Sequence, residues 1–182
     1  MNFEQKLREI LLADEFRMDL LRTLKSLELK EGCIGAGFVR NMVWDKAHDI
    51  QSPLSDVDVL HFDSSDISKE TDLLFEEQLK QLRPDVNWSV KNQARMHLWH
   101  GHSPYDSINE AISNWAETAT AIAVKLTDKN QIEIIAPYGL RDLFDLALRP
   151  TPLIPIEVFI KRVKEKKWTT KYPQLSILQS SK

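Results

Sequence analysis

Leu7, Ile10, Leu11, Met18, Leu21 and Leu24 recur at three-, four- or seven-residue steps. That spacing gathers side chains into one stripe and predicts a helix over about residues 3–28. Cys33 and Ile34 make a short apolar strand running into Gly35-Ala36-Gly37, and Phe38, Met42 and Val43 restart a helical spacing over 38–48. Residues 49–55, marked by Ser52-Pro53, read as a loop. Residues 55–63 then alternate: Val57, Val59 and His61 take one face of a strand, and Asp56, Asp58 and Leu60 take the other. Leu73, Leu74, Leu79 and Leu82 predict a helix over 68–82, ended by Arg83-Pro84. Alternation returns over 85–93 with Val86, Trp88 and Val90. Ser107 and Glu110 have the spacing of a capping box at the start of a helix over 107–116. Strands over 118–126 and 131–136 flank Thr-Asp-Lys-Asn as a hairpin. A short helix over 142–148 stops before Arg149-Pro150. Pro152 and Pro155 mark a connector, and a basic helix follows over about 156–168.

Helices and strands in this order predict a mixed sheet with helices packed on it, of the α/β or α+β type. The chain has 182 residues, which suits one domain over 1–182 with a helical extension from about 150. Charge then narrows the partners. With 24 basic and 27 acidic side chains the net charge is −3, which gives no general affinity for nucleic acid or anionic membranes. The single cysteine, Cys33, makes no internal disulfide, and no apolar run reaches the length of a membrane span. The N-terminus carries Glu4, Glu9, Asp14 and Glu15 among its apolar residues, unlike a secretory signal. The expected location is the cytoplasm.

Two features carry candidate chemistry. Three of the five glycines lie in Gly32–Gly37, where the backbone must turn tightly or come close to something. Asp56 and Asp58 share one strand face, roughly 6–7 Å apart at Cα. Two carboxylates about 5 Å apart repel by roughly 3 kcal/mol at an effective dielectric near 20. A raised pKa, a basic partner, a divalent cation or solvent relieves that repulsion. Hard oxygen ligands suit Mg²⁺, which often bridges one or two carboxylates to substrate phosphates. Alone, an exposed Asp-x-Asp strand and a tight strand-to-helix turn are ordinary surface structure. Together, a phosphate cradle and a cation site in one unit are what phosphoryl or nucleotidyl transfer needs. The glycine spacing is neither a dinucleotide fingerprint nor a P-loop, and no Gly-x-Ser-x-Gly occurs.

The stretch 90–102 concentrates polar groups. Lys91 or Arg95 can neutralise phosphate charge, and Asn92 and Gln93 can read a base or ribose or fix a sheet edge. His97, His100 and His102 lack the i, i+4 spacing and the cysteine pair of common zinc sites. Arg40 can reach a phosphate at the helix start or pair with Asp45 or Asp49. Trp88, Trp99, Trp115 and Trp168 read as core or edge aromatics. The basic residues after 160 read as a solvated helix face.

The runs IGAGFVRNMVWDKAHD, SPLSDVDVLHFD, WSVKNQARMHLWHG, APYGLRDLF and LRPTP resemble a bacterial nucleotidyltransferase-like family of small proteins. That family lies within the polymerase-beta-like nucleotidyltransferase superfamily. The resemblance spans about Gly32 to Pro173. It implies an α+β nucleotidyltransferase-like mixed sheet flanked by helices. It also implies nucleotide phosphates at Gly35 and Gly37, and Mg²⁺ or Mn²⁺ on Asp56 and Asp58 as catalytic carboxylates. Arg40, Asn92 and Arg95 join these as candidate nucleotide contacts. The expected reaction is transfer of a nucleoside monophosphate from an NTP to an acceptor hydroxyl. The alternative is a non-catalytic nucleotide- or protein-binding module. Two departures stand out: the turn has Ala36 in place of a second glycine or a serine, and a third carboxylate is offered only by Asp85 or Glu133.

Overall fold

A computed structural model describes residues 2–178, with the backbone alone for His100. The opening apolar stripe is broken into two helices, α1 (Phe3–Leu12) and α2 (Glu15–Lys25). The break is chemical: Asp14 leaves the helical conformation and its side chain accepts a hydrogen bond from the Arg17 N–H, capping α2. Both helices turn one stripe inward, burying Leu7, Leu11, Met18, Leu21 and Leu24.

Strand β1 (Cys33–Gly35) leads into α3 (Gly37–Ala47), followed by β2 (Val57–His61), α4 (Lys69–Leu82) and β3 (Trp88–Asn92). Next come α5 (Gln93–His100), α6 (Ile108–Ser113) and the hairpin β4 (Ala123–Leu126) and β5 (Ile132–Ile135). The sheet order is β3-β2-β1-β4-β5, with β2 and β3 parallel and the other neighbours antiparallel. This is the expected α+β arrangement. Antiparallel pairing sets Cys33 opposite Leu60 and Ile34 opposite Val59. The period-two rule therefore gives the sheet two faces. Val57, Val59, Val90 and Ile34 join the large core under α1, α2, α3 and α4. Cys33, Leu60 and Ala123 join a smaller cluster under Ile108 and Ile112 of α6.

The C-terminal part holds α7 (Arg141–Phe144), β6 (Ala147–Leu148), α8 (Ile156–Lys166), α9 (Trp168–Lys171) and β7 (Ser176–Ile177). The helix expected over 142–148 ends early. Leu146 takes a φ of 55°, and Ala147 and Leu148 pair in parallel with β7. Phe159, Val163, Trp168 and Tyr172 enter the large core, so this extension packs on the sheet domain. Helix α5 lies in the stretch that the sequence marks only for its concentration of polar groups. Its ends are nonetheless marked: Asn92 caps the Ala94 N–H, and Gly101 closes it with a φ of 67°. Among the described residues no helix is long and apolar enough to cross a membrane.

Candidate active site

Gly35 ends β1 because that strand is crowded on one side. A methyl group there would meet the Ile122 carbonyl oxygen at 3.1 Å and Leu60 Cδ1 and Trp115 Cη2 at 3.2 Å each. The Ala36 N–H donates to the Ile122 carbonyl, and Ala36 turns the chain at φ 54°, ψ −121°. A residue with a Cβ rarely adopts this conformation; it costs about 1–3 kcal/mol. The strain therefore sits on the alanine, between the two glycines. It launches α3 with no side-chain cap, so the first-turn N–H groups of that helix are left without a side-chain partner.

Continuing the antiparallel register of β1 and β2 by one step sets Gly35 opposite Asp58. Asp58 is half-buried on the face shared by Leu60 and Cys33, and Asp56 lies two residues earlier, exposed at the strand's start. Burial raises the Asp58 carboxyl above the usual range, and the Asp56 charge adds to this; Lys91, Arg40 and Lys166 pull it back. Neither aspartate makes an ion pair closer than 4 Å among the described residues. The two carboxylates and the glycine bend thus meet at one end of one sheet face.

Arg40 lies directly behind the bend. Its Nη2 comes within 3.7 Å of where a methyl group on Gly37 would sit, and its Nη1 donates to Thr120 Oγ1 at 2.8 Å. The guanidinium is buried against the rings of Trp44 and Trp168, at 5.2 and 4.5 Å from their centroids. It pairs with neither Asp45 nor Asp49. Burial pushes its pKa down to about 10, countered first by the charge of Glu117. At neutral pH it is still a cation beneath the N-terminus of α3.

Glu117 is fully buried, with one oxygen 2.7 Å from Arg162 Nε of α8. Neither carboxylate oxygen has a well-aligned hydrogen bond. Its weight was not legible in the sequence, where it is one acid among many; only burial beside two arginines singles it out. Asp45 accepts from Ser52 and from Tyr172 Oη.

Asn92 and Arg95 lie elsewhere. Asn92 pairs with His61 in the β2–β3 register, on the face of Val59 and Val90, opposite to that of Asp58. Its amide donates to the carbonyls of Asp63 and Asp66 and accepts from the N–H groups of Asp63 and Ala94. Arg95 binds the Ile67 and Ser68 carbonyls and forms a buried ion pair with Asp72, which also meets His61 Nε2. Both side chains are committed to the loop at 62–68 and to α4, and the structure does not bring them to the acidic pair. Of the candidate third carboxylates, Asp85 is held by Arg83 and Glu133 by Lys125. Lys91 does share the face of Asp58, one strand over. His97 and His102 bond to the Ala94 carbonyl and Tyr105 Oη, and the His100 side chain lies outside the described residues. Trp99, expected in the core or at an edge, is 70% exposed on α5.

A protein-family model described as nucleotidyltransferase matches residues 22–177. An NMR structure described as a CCA-adding enzyme head domain is 32% identical, with a TM-score of 0.84, over 97% of this chain and 96% of that one. A Thermotoga maritima CCA-adding enzyme complexed with tRNA shares the fold at 16% identity, with a TM-score of 0.57, over 90% of this chain and 38% of that one. A CCA-adding enzyme in complex with ATP does so at 16% identity and a TM-score of 0.58, over 93% of this chain and 42% of that one. The chain thus spans well under half the length of these larger enzymes. No curated protein matches it.

Proposed function

The chain belongs to the nucleotidyltransferase family, and on that premise we propose that it transfers a nucleoside monophosphate from an NTP to an acceptor hydroxyl with a divalent cation held by Asp56 and Asp58. One observation carries the reading: the acidic pair and the glycine bend meet on one sheet face, with Gly35 across from Asp58. The donor set fits Mg²⁺ or Mn²⁺. Two carboxylate oxygens on one face repel each other without an ion partner, and a divalent cation relieves that repulsion. Among the described residues no cluster of three or more His, Cys, Asp or Glu side chains is present. The remaining ligands would be phosphate oxygens and water. When bound, the cation withdraws charge from the reacting phosphate and lowers the pKa of the attacking hydroxyl.

The chain's own residues do the rest. The open N–H groups of the first turn of α3 face an anion with their positive dipole end. Arg40, fixed between two indoles, adds a buried positive charge to the same spot. Gly37 keeps the helix start free of a side chain, so phosphate oxygens can approach the backbone. Asp58 is half-buried within the strand, and exposed Asp56 is open to the solvent side.

The test measures pyrophosphate release from each of the four NTPs, with Mg²⁺ or with EDTA. Label from the α-phosphate is then followed into RNA, protein and small-molecule fractions. Mg²⁺-dependent pyrophosphate with label in an acceptor supports the reading. The want of a third neighbouring carboxylate favours a second one, a nucleotide-binding module without turnover. Calorimetric binding of MgNTP with no pyrophosphate would favour that module.

A further inference from the structure

Helix α8 does more than pad the core. Arg162 meets buried Glu117 at 2.7 Å and lies over Trp168, 5.6 Å from its centroid. The same ring meets Arg40, whose guanidinium touches the space above Gly37. A continuous stack thus runs from α8 through Trp168 and Arg40 to the glycine bend. Lys166 is the last residue of α8 and follows Arg162 by four, so it projects from the same side of the helix. Lys167 then turns left-handed, at φ 51°, and ends the helix beside the stack. Lys166 is exposed and has no ion pair closer than 4 Å among the described residues. All other basic positions of α8 are accounted for differently: Lys161 pairs with Glu165, and Lys164 is two residues, about 200° of helix rotation, from Lys166.

We infer that Lys166 is a substrate-contacting cation for the β- and γ-phosphates of a nucleotide held at the glycine bend, and that the Glu117–Arg162 ion pair is the tether that aims it. The inference rests on the nucleotidyl-transfer reading and adds a phosphate contact from outside the catalytic sheet. The geometry is the support: Lys166 lies two residues before Trp168, whose ring meets the Arg40 guanidinium behind the bend. The charge count points the same way. A triphosphate beside two carboxylates needs more positive charge than one divalent cation and Arg40 provide. An ammonium on a flexible stem suits the terminal phosphates of a substrate that must leave as pyrophosphate.

Binding of MgATP and MgCTP is measured by calorimetry, and KM and kcat by pyrophosphate release, for wild type, Lys166→Met and Lys164→Met. Lys166→Met is expected to raise Kd and KM about tenfold, the loss of one charge-assisted phosphate contact. Its Tm and the Kd for the nucleoside monophosphate should stay within error of wild type. Lys164→Met, which removes the same charge from the same helix, should bind MgNTP within twofold of wild type. Equal weakening by both variants means a diffuse charge effect and overturns the assignment. So does unchanged binding by Lys166→Met while wild type binds normally, and that result leaves nucleotidyl transfer intact. Absence of NTP binding by wild type overturns the transfer reading itself, and the assignment with it. Glu117→Gln tests the tether: it should weaken MgNTP binding in the wild-type background and add little to Lys166→Met.

Discussion

The guanidinium of Arg40 lies 4.5 Å from the ring centroid of Trp168, joining a side chain of the glycine-bend helix to one from the C-terminal extension. Trp168 carries Arg162 on the same ring system, and Glu117 supplies the negative charge between the two arginines. Glu117→Ala leaves buried Arg40 and part-buried Arg162 without the acidic charge they share. Removing one partner of a fully buried pair costs about 3–5 kcal/mol. Arg162 is part-exposed, and water screens it, so the expected loss is about 2–3 kcal/mol. Urea denaturation measures it; a loss below about 0.5 kcal/mol would contradict the role given to Glu117.

Ala36 sits at φ 54°, ψ −121°, a conformation glycine adopts freely. Ala36→Gly should relieve more strain than it adds chain entropy, for a net gain of about 1 kcal/mol. In a chain of this size that is a Tm rise of about 2–4 °C by calorimetry. A lower Tm would contradict the strain assigned to the bend.

The raised Asp58 carboxyl makes a signed prediction. Burial, then the Asp56 charge, lift its folded-state pKa above the unfolded value. The folded state therefore binds this proton more tightly than the unfolded state. Stability from this group falls as pH rises from the ordinary aspartate value through the raised one, and the penalty is complete above it. Asp58→Asn removes the penalty, so its Tm at pH 7 should exceed that of wild type, with the difference shrinking as the pH falls through that window. Mg²⁺ with NTP should raise the wild-type Tm and leave that of Asp58→Asn unchanged.

Asn92 satisfies four backbone groups around the loop at 62–66 and the start of α5. Asn92→Ala should cost about 2–4 kcal/mol at roughly 1 kcal/mol per bond. KM for NTP, measured below the melting range, should stay within twofold of wild type, because the side chain lies on the far face of the sheet. A selective tenfold rise in KM would return Asn92 to the nucleotide site.

Much of this was legible because period-two alternation is a local signal. The pattern Asp56-Val57-Asp58-Val59 fixes which side chains share a face before any partner strand is known, and the strand lies where the alternation puts it. The hairpin at Thr127–Asn130 is equally local, with Asn130 taking a φ of 57°. Helix α5 was hidden because it has no apolar stripe, and the split at Asp14 because the stripe runs on across a capped break. Asn92 and Arg95 show the limit. A cation or an amide near a motif in sequence reads as a ligand contact until the third dimension supplies its partners. For Asn92 these are backbone groups of Asp63, Asp66 and Ala94, and for Arg95 they are Asp72 and the carbonyls of Ile67 and Ser68.

The most direct measurement compares Mg²⁺-dependent incorporation of α-labelled NTP by wild type, Asp56→Asn and Asp58→Asn at equal folded fraction. Each variant is expected to lose at least about a hundredfold in rate, roughly 2.7 kcal/mol of transition-state stabilisation. Incorporation within twofold of wild type by either variant would take that aspartate out of the chemistry.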